Sequence, residues 1–294
     1  MSNELLEIEI PAIKRKVLMP LSLSRCDQRQ YVEFCGLLYQ HNHKGLSFDD
    51  FLILSVYALL NLKRGKEPLS EEASENIYRL SEFLTGFFNK DGDTLKLNLD
   101  YRGNVIKSVN PGFMKRFYGP NDYFTDVTFG EYEMGLDLFF SYRETQNVEY
   151  LYKLLALYFV PKRRGKRKKL PKEKYESHTK LMRTLPEGYA YGFYYNFAAF
   201  HTYFTSTQVS YEGKVADLSI IFTDQPEDES DNYESPYSGL GMKSIAFQLA
   251  ESGVFGTLEE VRDTNLWEAV FRMYDIRKRD LDHKAKTKSN ESQS

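Results

Sequence analysis

The strongest constraint on this chain is a junction at Pro161. Before it, 148–159 (VEYLYKLLALYF) is apolar at helical spacing, with Tyr150, Leu151, Leu154, Leu155 and Tyr158 recurring every three to four residues. After it, Lys162, Arg163, Arg164, Lys166, Arg167, Lys168, Lys169, Lys172 and Lys174 are opposed by Glu173 alone. A proline disfavours helix at the residue before it, so the apolar helix has to stop there. The fold must therefore bury one helix directly beside a solvated basic segment. The apolar part is far shorter than the roughly 20 residues needed to span a bilayer, and no other segment has 18 uninterrupted apolar residues. No membrane contact is expected.

Apolar periodicity predicts helices through most of the rest. Residues 1–90 read as an N-terminal helical region. In the first helix Tyr31, Phe34, Cys35, Leu38 and Tyr39 form one stripe, with Asp27 or Ser24 as cap and Gly45 as stop. Ser47 caps the second helix and Ser70 opens the third, which is expected to run over 70–89. Ahead of them, 5–10 (LLEIEI) reads as a short strand or arm stopped by Pro11, and 14–20 as a connector.

Residues 91–118 read as a β-hairpin: LKLNLDY as one strand, a turn at 100–104, then VIKSV. Residues 119–223 form a central aromatic-rich helical region carrying a basic loop at 162–174. Within it Thr128 and Glu131 have capping-box spacing, and Thr145 is the expected cap of the next helix. The block 189–204 (YAYGFYYNFAAFHTYF) reads as a buried helix, with a strand as alternative. After it, 209–224 either continues the helix or forms a hairpin turning at Glu212-Gly213. Residues 224–236 are acidic and without periodicity, as a disordered linker would be. Residues 237–285 predict a C-terminal helix pair, and 286–294 a disordered tail. The expected class is mainly α: an irregular multi-helix bundle with a small β-hairpin insertion.

Composition narrows the function more by exclusion than by signal. Net charge is −3 and pI about 6.0, so the chain as a whole is not built to grip polyanions. Cys26 and Cys35 lie in one predicted helix more than two turns apart, too far to bridge, which fits a reducing compartment. The first residues, MSNELLEIEIPAIKRK, lack the apolar run of a signal peptide. Tyr (22) and Phe (21) are abundant. Such rings serve interfaces as well as cores, because tyrosine keeps a polar handle on an apolar body.

No catalytic signature stands out. Nucleophile elbows and Cys–His pairs of recognisable spacing are absent. His41 and His43 project from different faces of a helix end without a third ligand nearby in sequence, so no metal is expected. Glu131 and Glu133 read as caps or surface acids. Residues 238–242 (SGLGM) lack the preceding strand, a Lys-Ser/Thr pair at the right spacing and the third glycine of a phosphate loop. An enzyme and a cofactor are therefore not expected.

The candidate contact residues are Lys162, Arg163, Arg164, Lys166, Arg167, Lys168 and Lys169. Charges at this density repel one another and predict an exposed mobile loop. The default reading is a solvated loop without a partner; as a contact, it binds nucleic acid with steep salt dependence or meets an acidic protein surface, the 224–234 segment of the same or a neighbouring copy included.

Three blocks resemble one known group of proteins. The first holds Gly119-Pro120-Asn121-Asp122, Thr128-Phe129-Gly130-Glu131, Thr145 followed by Tyr150-Leu151, and Phe159-Val160-Pro161 with basic residues after it. The second holds AESGVFG and TNLWEA near the C-terminus, and the third is MPLSLSRCDQRQYVEFCGLL. Together they cover roughly a third of the chain. This pattern is similar to that of uncharacterised Bacteroidetes phage and prophage proteins encoded among virion and tail genes. The resemblance implies a tail or neck component or a tail assembly chaperone. It would work in the host cytoplasm during assembly or within the virion, and bind other virion or tail proteins or itself. It carries no catalytic residues over. The chain departs from the pattern at Phe159-Val160-Pro161, where Tyr-Arg-Pro is expected.

Overall fold

The computed structural model describes residues 5–10, 15–63, 69–92, 94–112, 115–211, 213–222 and 242–291. The chain is mainly α: eleven α-helices and five two-stranded antiparallel sheets occur among the described residues. It divides into two compact units, Met1–Tyr123 with Leu138–Ala199, and Phe124–Asp137 with Phe200–Ser294.

The first unit opens with an antiparallel hairpin of β1 (Leu5–Ile10) and β2 (Arg15–Pro20), in register from Leu5↔Pro20 to Ile10↔Arg15. The stretch expected to be a connector is thus a strand. Its period of two is visible in burial: Lys16 and Leu18 are exposed, whereas Met19 is buried. α1 (Gln28–Lys44) starts at a capping box in which Asp27 and Gln30 each accept the other's backbone N–H at 2.8 Å. Tyr31, Phe34, Cys35 and Leu38 are buried as the stripe predicts, and Gly45 at φ +76° ends the helix.

α2 (Phe48–Leu59) is capped by Ser47 and α3 (Glu71–Glu82) by Ser70. α3 tightens into a 3-10 turn, Phe83–Phe87, that buries Leu84 and Phe87, so the third helix is shorter than expected. Phe34 joins these elements, its ring centroid 5.4 Å from Phe51 and 5.3 Å from Phe87.

The expected hairpin of 91–118 is two ladders instead. β3 (Phe88–Asp91) pairs with β4 (Thr94–Leu97), turning at DGDT, where Gly92 adopts φ +60°. β5 (Ser108–Val109) pairs with β6 (Phe117–Tyr118). A two-residue turn closes a hairpin with less loop entropy than the five-residue turn read at 100–104. The loop between the ladders is held by Asn104, almost fully buried. Its Nδ2 donates to the Pro120 carbonyl at 2.8 Å, its Oδ1 accepts from Ile106 N, and its backbone N–H donates to Asp122 Oδ1.

The later part of α4 (Phe129–Thr145), together with α5 (Val148–Tyr158), α6 (Lys172–Met182) and most of α7 (Glu187–Ser206), completes this unit. Asn147 rather than Thr145 caps α5, accepting from Glu149 N at 2.9 Å, while Thr145 Oγ1 accepts from Asn147 N. Gln146 sits at φ +54°, a reversal that puts Asn147 in the cap position. Leu151, Leu154 and Leu155 are buried, and α7 is the buried helix anticipated, with Phe193 5.3 Å from Tyr158 and 5.1 Å from Phe159.

In the second unit the start of α4 meets the start of α11 (Leu266–Glu291). Thr128 and Asn265 form an antiparallel bridge. Phe129 N donates to Thr264 O and Leu266 N to Val127 O, and Asn265 Nδ2 donates to Thr125 O. The expected capping box is present: Thr128 N donates to Glu131 Oε2 at 2.9 Å and Glu131 N to Thr128 Oγ1 at 3.2 Å. The Thr-Phe-Gly-Glu and Thr-Asn-Leu blocks, far apart in sequence, are therefore neighbours. Phe200 stacks on Phe124 at 4.1 Å, and Phe204 packs on Tyr132 and Trp267.

β9 (Gln208–Tyr211) and β10 (Lys214–Asp217) form the hairpin alternative at Gly213, and α8 (Ser219–Phe222) follows. The expected acidic linker 224–236 and the glycine turn at 238–241 lie outside the described residues.

The C-terminal pair is a trio: α9 (Met242–Glu251), α10 (Leu258–Asp263) and α11. The anticipated second helix breaks at Thr264, which is extended, and restarts because Asn265 Oδ1 accepts from Trp267 N. α11 continues to Glu291, so 286–291 is helical rather than part of a disordered tail. The i,i+4 pairs Lys278–Asp282 and Arg279–Asp275 extend the helix, and Lys284, Ala285 and Lys286 after them have good helix propensity.

Candidate functional site

The basic segment is not an irregular loop. Lys162–Arg163 (β7) pairs with Lys166–Arg167 (β8), in register Lys162↔Arg167 and Arg163↔Lys166. Arg164 at φ +53° and Gly165 at φ +80° supply the two left-handed residues that a type I′ hairpin turn requires. Lys168 N closes the hairpin by donating to Pro161 O at 2.8 Å, and Tyr118 and Val160 exchange backbone hydrogen bonds at its base.

Alternation then sorts the cations. Lys162 and Arg167 face one way and are pinned. The Lys162 ammonium lies 5.0 Å from the centre of the Tyr118 ring, and Arg167 Nη2 donates to the Tyr158 carbonyl at 2.9 Å. Arg163 and Lys166 face the other way, Arg164 occupies the tip, and Lys168 and Lys169 follow. All five are exposed. Repulsion does not open the hairpin because the outward charges stand in water, where a pair 4 Å apart costs only about 1 kcal/mol before salt screening. Lys172 and Lys174 belong to the first turn of α6 rather than to the basic hairpin.

A second surface was not separated from core in the sequence. Three helices of the first unit each present an i, i+3, i+4 triplet: Tyr39, Asn42 and His43 on α1; Phe139, Tyr142 and Arg143 on α4; Tyr191, Tyr194 and Tyr195 on α7. Tyr194 stacks on Phe139 at 5.0 Å and meets Tyr142 edge-on at 4.9 Å. Tyr142 Oη and His43 Nε2 are 2.9 Å apart, and Asn42 Nδ2 donates to Tyr191 Oη at 2.8 Å. The Arg143 guanidinium lies 5.8 Å and 5.9 Å from the Phe139 and Phe140 ring centres.

The cluster is only half covered: Tyr142 and Tyr191 are buried, Tyr39, Tyr194 and Tyr195 partly so, and His43 and Phe140 are exposed. Desolvation pushes the Tyr194 hydroxyl up to about 12 and lowers the His43 pKa, so both groups favour their neutral forms. The block 189–204 looks uniformly aromatic, which hid this edge. The signal was the matched triplets on three separate helices.

The remaining polar candidates have structural partners. His41 Nδ1 lies 2.7 Å from Leu46 O, and its ring stacks 5.7 Å from Phe51. Among the described residues no three His, Cys, Asp or Glu side chains gather as metal ligands would. Glu131 serves as the cap expected of it. Glu133 is not a surface acid: it is buried and bound by Arg262 through two hydrogen bonds, at 2.8 Å and 3.0 Å. Cys26 and Cys35 are both free and buried. A cleft of about 700 Å³ lies between α1, α2 and the start of α7, its lining mixed between apolar residues such as Val32, Leu54 and Tyr189 and polar ones such as Arg29, Glu33 and Gln40. No helix among the described residues is long and apolar enough to cross a membrane.

Comparison with protein-family models, curated proteins and solved structures finds no match to this chain.

Proposed function

We propose that this chain is a non-enzymatic phage-type structural or morphogenesis protein, a tail or neck component or a tail assembly chaperone, that acts through protein–protein contacts. The observation that carries this reading is the half-covered aromatic surface of Tyr39, His43, Phe140, Arg143, Tyr194 and Tyr195. Rings needed only for the monomer's core would be covered. Half-covered tyrosines next to an arginine have the composition of interface centres, where a large apolar body and a polar tip are both used. The resemblance of 119–161 and 250–269 to proteins encoded among tail genes supplies the kind of partner: another virion or tail protein, or a second copy of this chain. The site of action is then the host cytoplasm during assembly, or the particle itself.

The test is co-expression of the full chain with phage tail-tube and tape-measure proteins, followed by size-exclusion chromatography. Co-elution with one of them is expected, and the Phe140→Ser/Arg143→Ala variant should weaken it at least about tenfold, as loss of a hot spot does. A chain that stays monomeric and elutes apart from every tail protein, or a double variant that co-elutes undiminished, overturns the reading.

A further inference from the structure

We infer that the β7–β8 hairpin is a preorganised nucleic-acid contact, gripping the phosphate backbone without reading sequence through Arg163, Arg164, Lys166 and Lys168. Strand alternation divides the cations into a pair that contacts the protein, the exposed Lys162 over the Tyr118 ring and the partly covered Arg167 at the Tyr158 carbonyl, and an outward set. The outward side chains are exposed, and none of these four forms an ion pair with a described carboxylate. The turn at Arg164-Gly165 fixes their spacing. Cross-strand neighbours lie about 5 Å apart and successive residues about 3.4 Å apart along the strand, so long side chains reach consecutive phosphates.

The chemistry of the surface selects the partner. Residues 162–169 contain no apolar side chain. A folded protein partner would need an apolar or aromatic core to its interface, whereas a polyanion needs only charge and donors. Arginine forks match phosphate oxygens in pairs, and two of the four outward residues are arginine. The thirteen residues of 162–174 carry nine cations and one acid while the chain is net −3, so the rest of the protein is acidic. Contact is therefore confined to the hairpin and involves few phosphates.

The experiment uses the full chain and a fluorescent 30-base-pair DNA duplex, with binding followed by anisotropy between 50 and 200 mM salt. Four phosphate contacts give a slope of log K against log salt of about −3.6. The variant Arg163→Ala/Arg164→Ala/Lys166→Ala/Lys168→Ala alters exposed side chains only and should melt like the wild type, with the slope falling towards zero. Gly165→Val keeps every charge but strains the turn, and should weaken binding about tenfold. A quadruple variant that binds with the wild-type slope overturns the proposal. So does a Gly165→Val variant of unchanged affinity, which would make the hairpin irrelevant. Retention of poly-glutamate with no binding to the duplex overturns it in favour of an acidic protein partner. None of these outcomes depends on association with tail proteins.

Discussion

Gly188 packs so tightly on the backbone of α1 that a Cβ built there would lie 2.1 Å from the Val32 carbonyl oxygen and 3.0 Å from the Gly36 nitrogen. The opposing glycine is looser, since a Cβ on Gly36 would meet its nearest Gly188 atom at 3.6 Å, an ordinary contact. The two glycines of one helix crossing are therefore not equivalent.

Gly188→Ala should destabilise the protein by about 2 kcal/mol or more, because backbone, not a flexible side-chain end, has to move. Gly36→Ala, in the middle of α1, should be neutral or stabilising by up to about 1 kcal/mol through helix propensity. Urea denaturation of both variants checks the asymmetry. Equal effects would mean that the crossing is looser than observed.

The Glu133–Arg262 pair belongs to the bridge between the starts of α4 and α11. Glu133 is 6% exposed, so removing its partner strands a carboxylate in a covered site. Arg262→Ala should destabilise by about 1–3 kcal/mol. Glu133→Gln, which keeps the shape and one acceptor, should lose less. A thermal melt of the two variants side by side gives the ranking.

Asn104 is replaceable by nothing of similar size. Asn104→Ala leaves the Pro120 carbonyl and the Ile106 N–H without their partner, at about 1–3 kcal/mol for each buried group. Asn104→Asp should be worse than its isosteric shape implies, because a carboxylate oxygen then faces the Pro120 carbonyl. Stability curves for the pair, with hydrogen exchange at Ile106, test this.

High pH should unfold the protein. Burial pushes the Cys26 thiol and the Tyr152 and Tyr194 hydroxyls each up to about 12, and raises Cys35 and Tyr31 as well. Their unfolded values are about 8.5 for cysteine and 10 for tyrosine. A folded pKa above the unfolded one means that the native state holds the proton more tightly. The stability linked to these groups is complete below about pH 8.5 and is lost as pH rises towards 12. The melting temperature should be level from pH 7 to 8.5 and fall beyond it, with tyrosinate absorbance rising as the fold is lost. At pH 8 a thiol reagent should modify neither cysteine in the native protein and both in denaturant.

Much of the secondary structure was legible because its signals are local. Asp27, Ser47, Ser70 and Thr128 each cap a helix through their own first turn, and Gly45 ends α1 by a left-handed φ that glycine tolerates. The stripes on α1 and α5 predicted most of the buried side chains, but Tyr39 and Tyr150 are only partly covered, and Val32, Tyr152 and Ala156, outside the stripes, are buried. Less legible were features that depend on competition between nearby options. The hairpin was expected to turn at 100–104, but the shorter loop at DGDT closes the ladder. The basic run looked too repulsive to pair, yet Arg164-Gly165 closes it.

The sequence by itself determined the mainly helical class, the caps and stops, and the abrupt change from buried helix to dense positive charge at Pro161, since all of these follow from neighbours within a few residues. Only the tertiary structure decided that Thr128 stands beside Asn265, that Glu133 is buried under Arg262, and that tyrosines from three helices share one half-open surface. It also decided which cations of 162–169 contact the rest of the protein. Strand alternation puts Lys162 on the same face as Arg167, but the Tyr118 ring and the Tyr158 carbonyl that engage them come from elsewhere in the chain. Neither contact leaves a periodic trace in a single sequence.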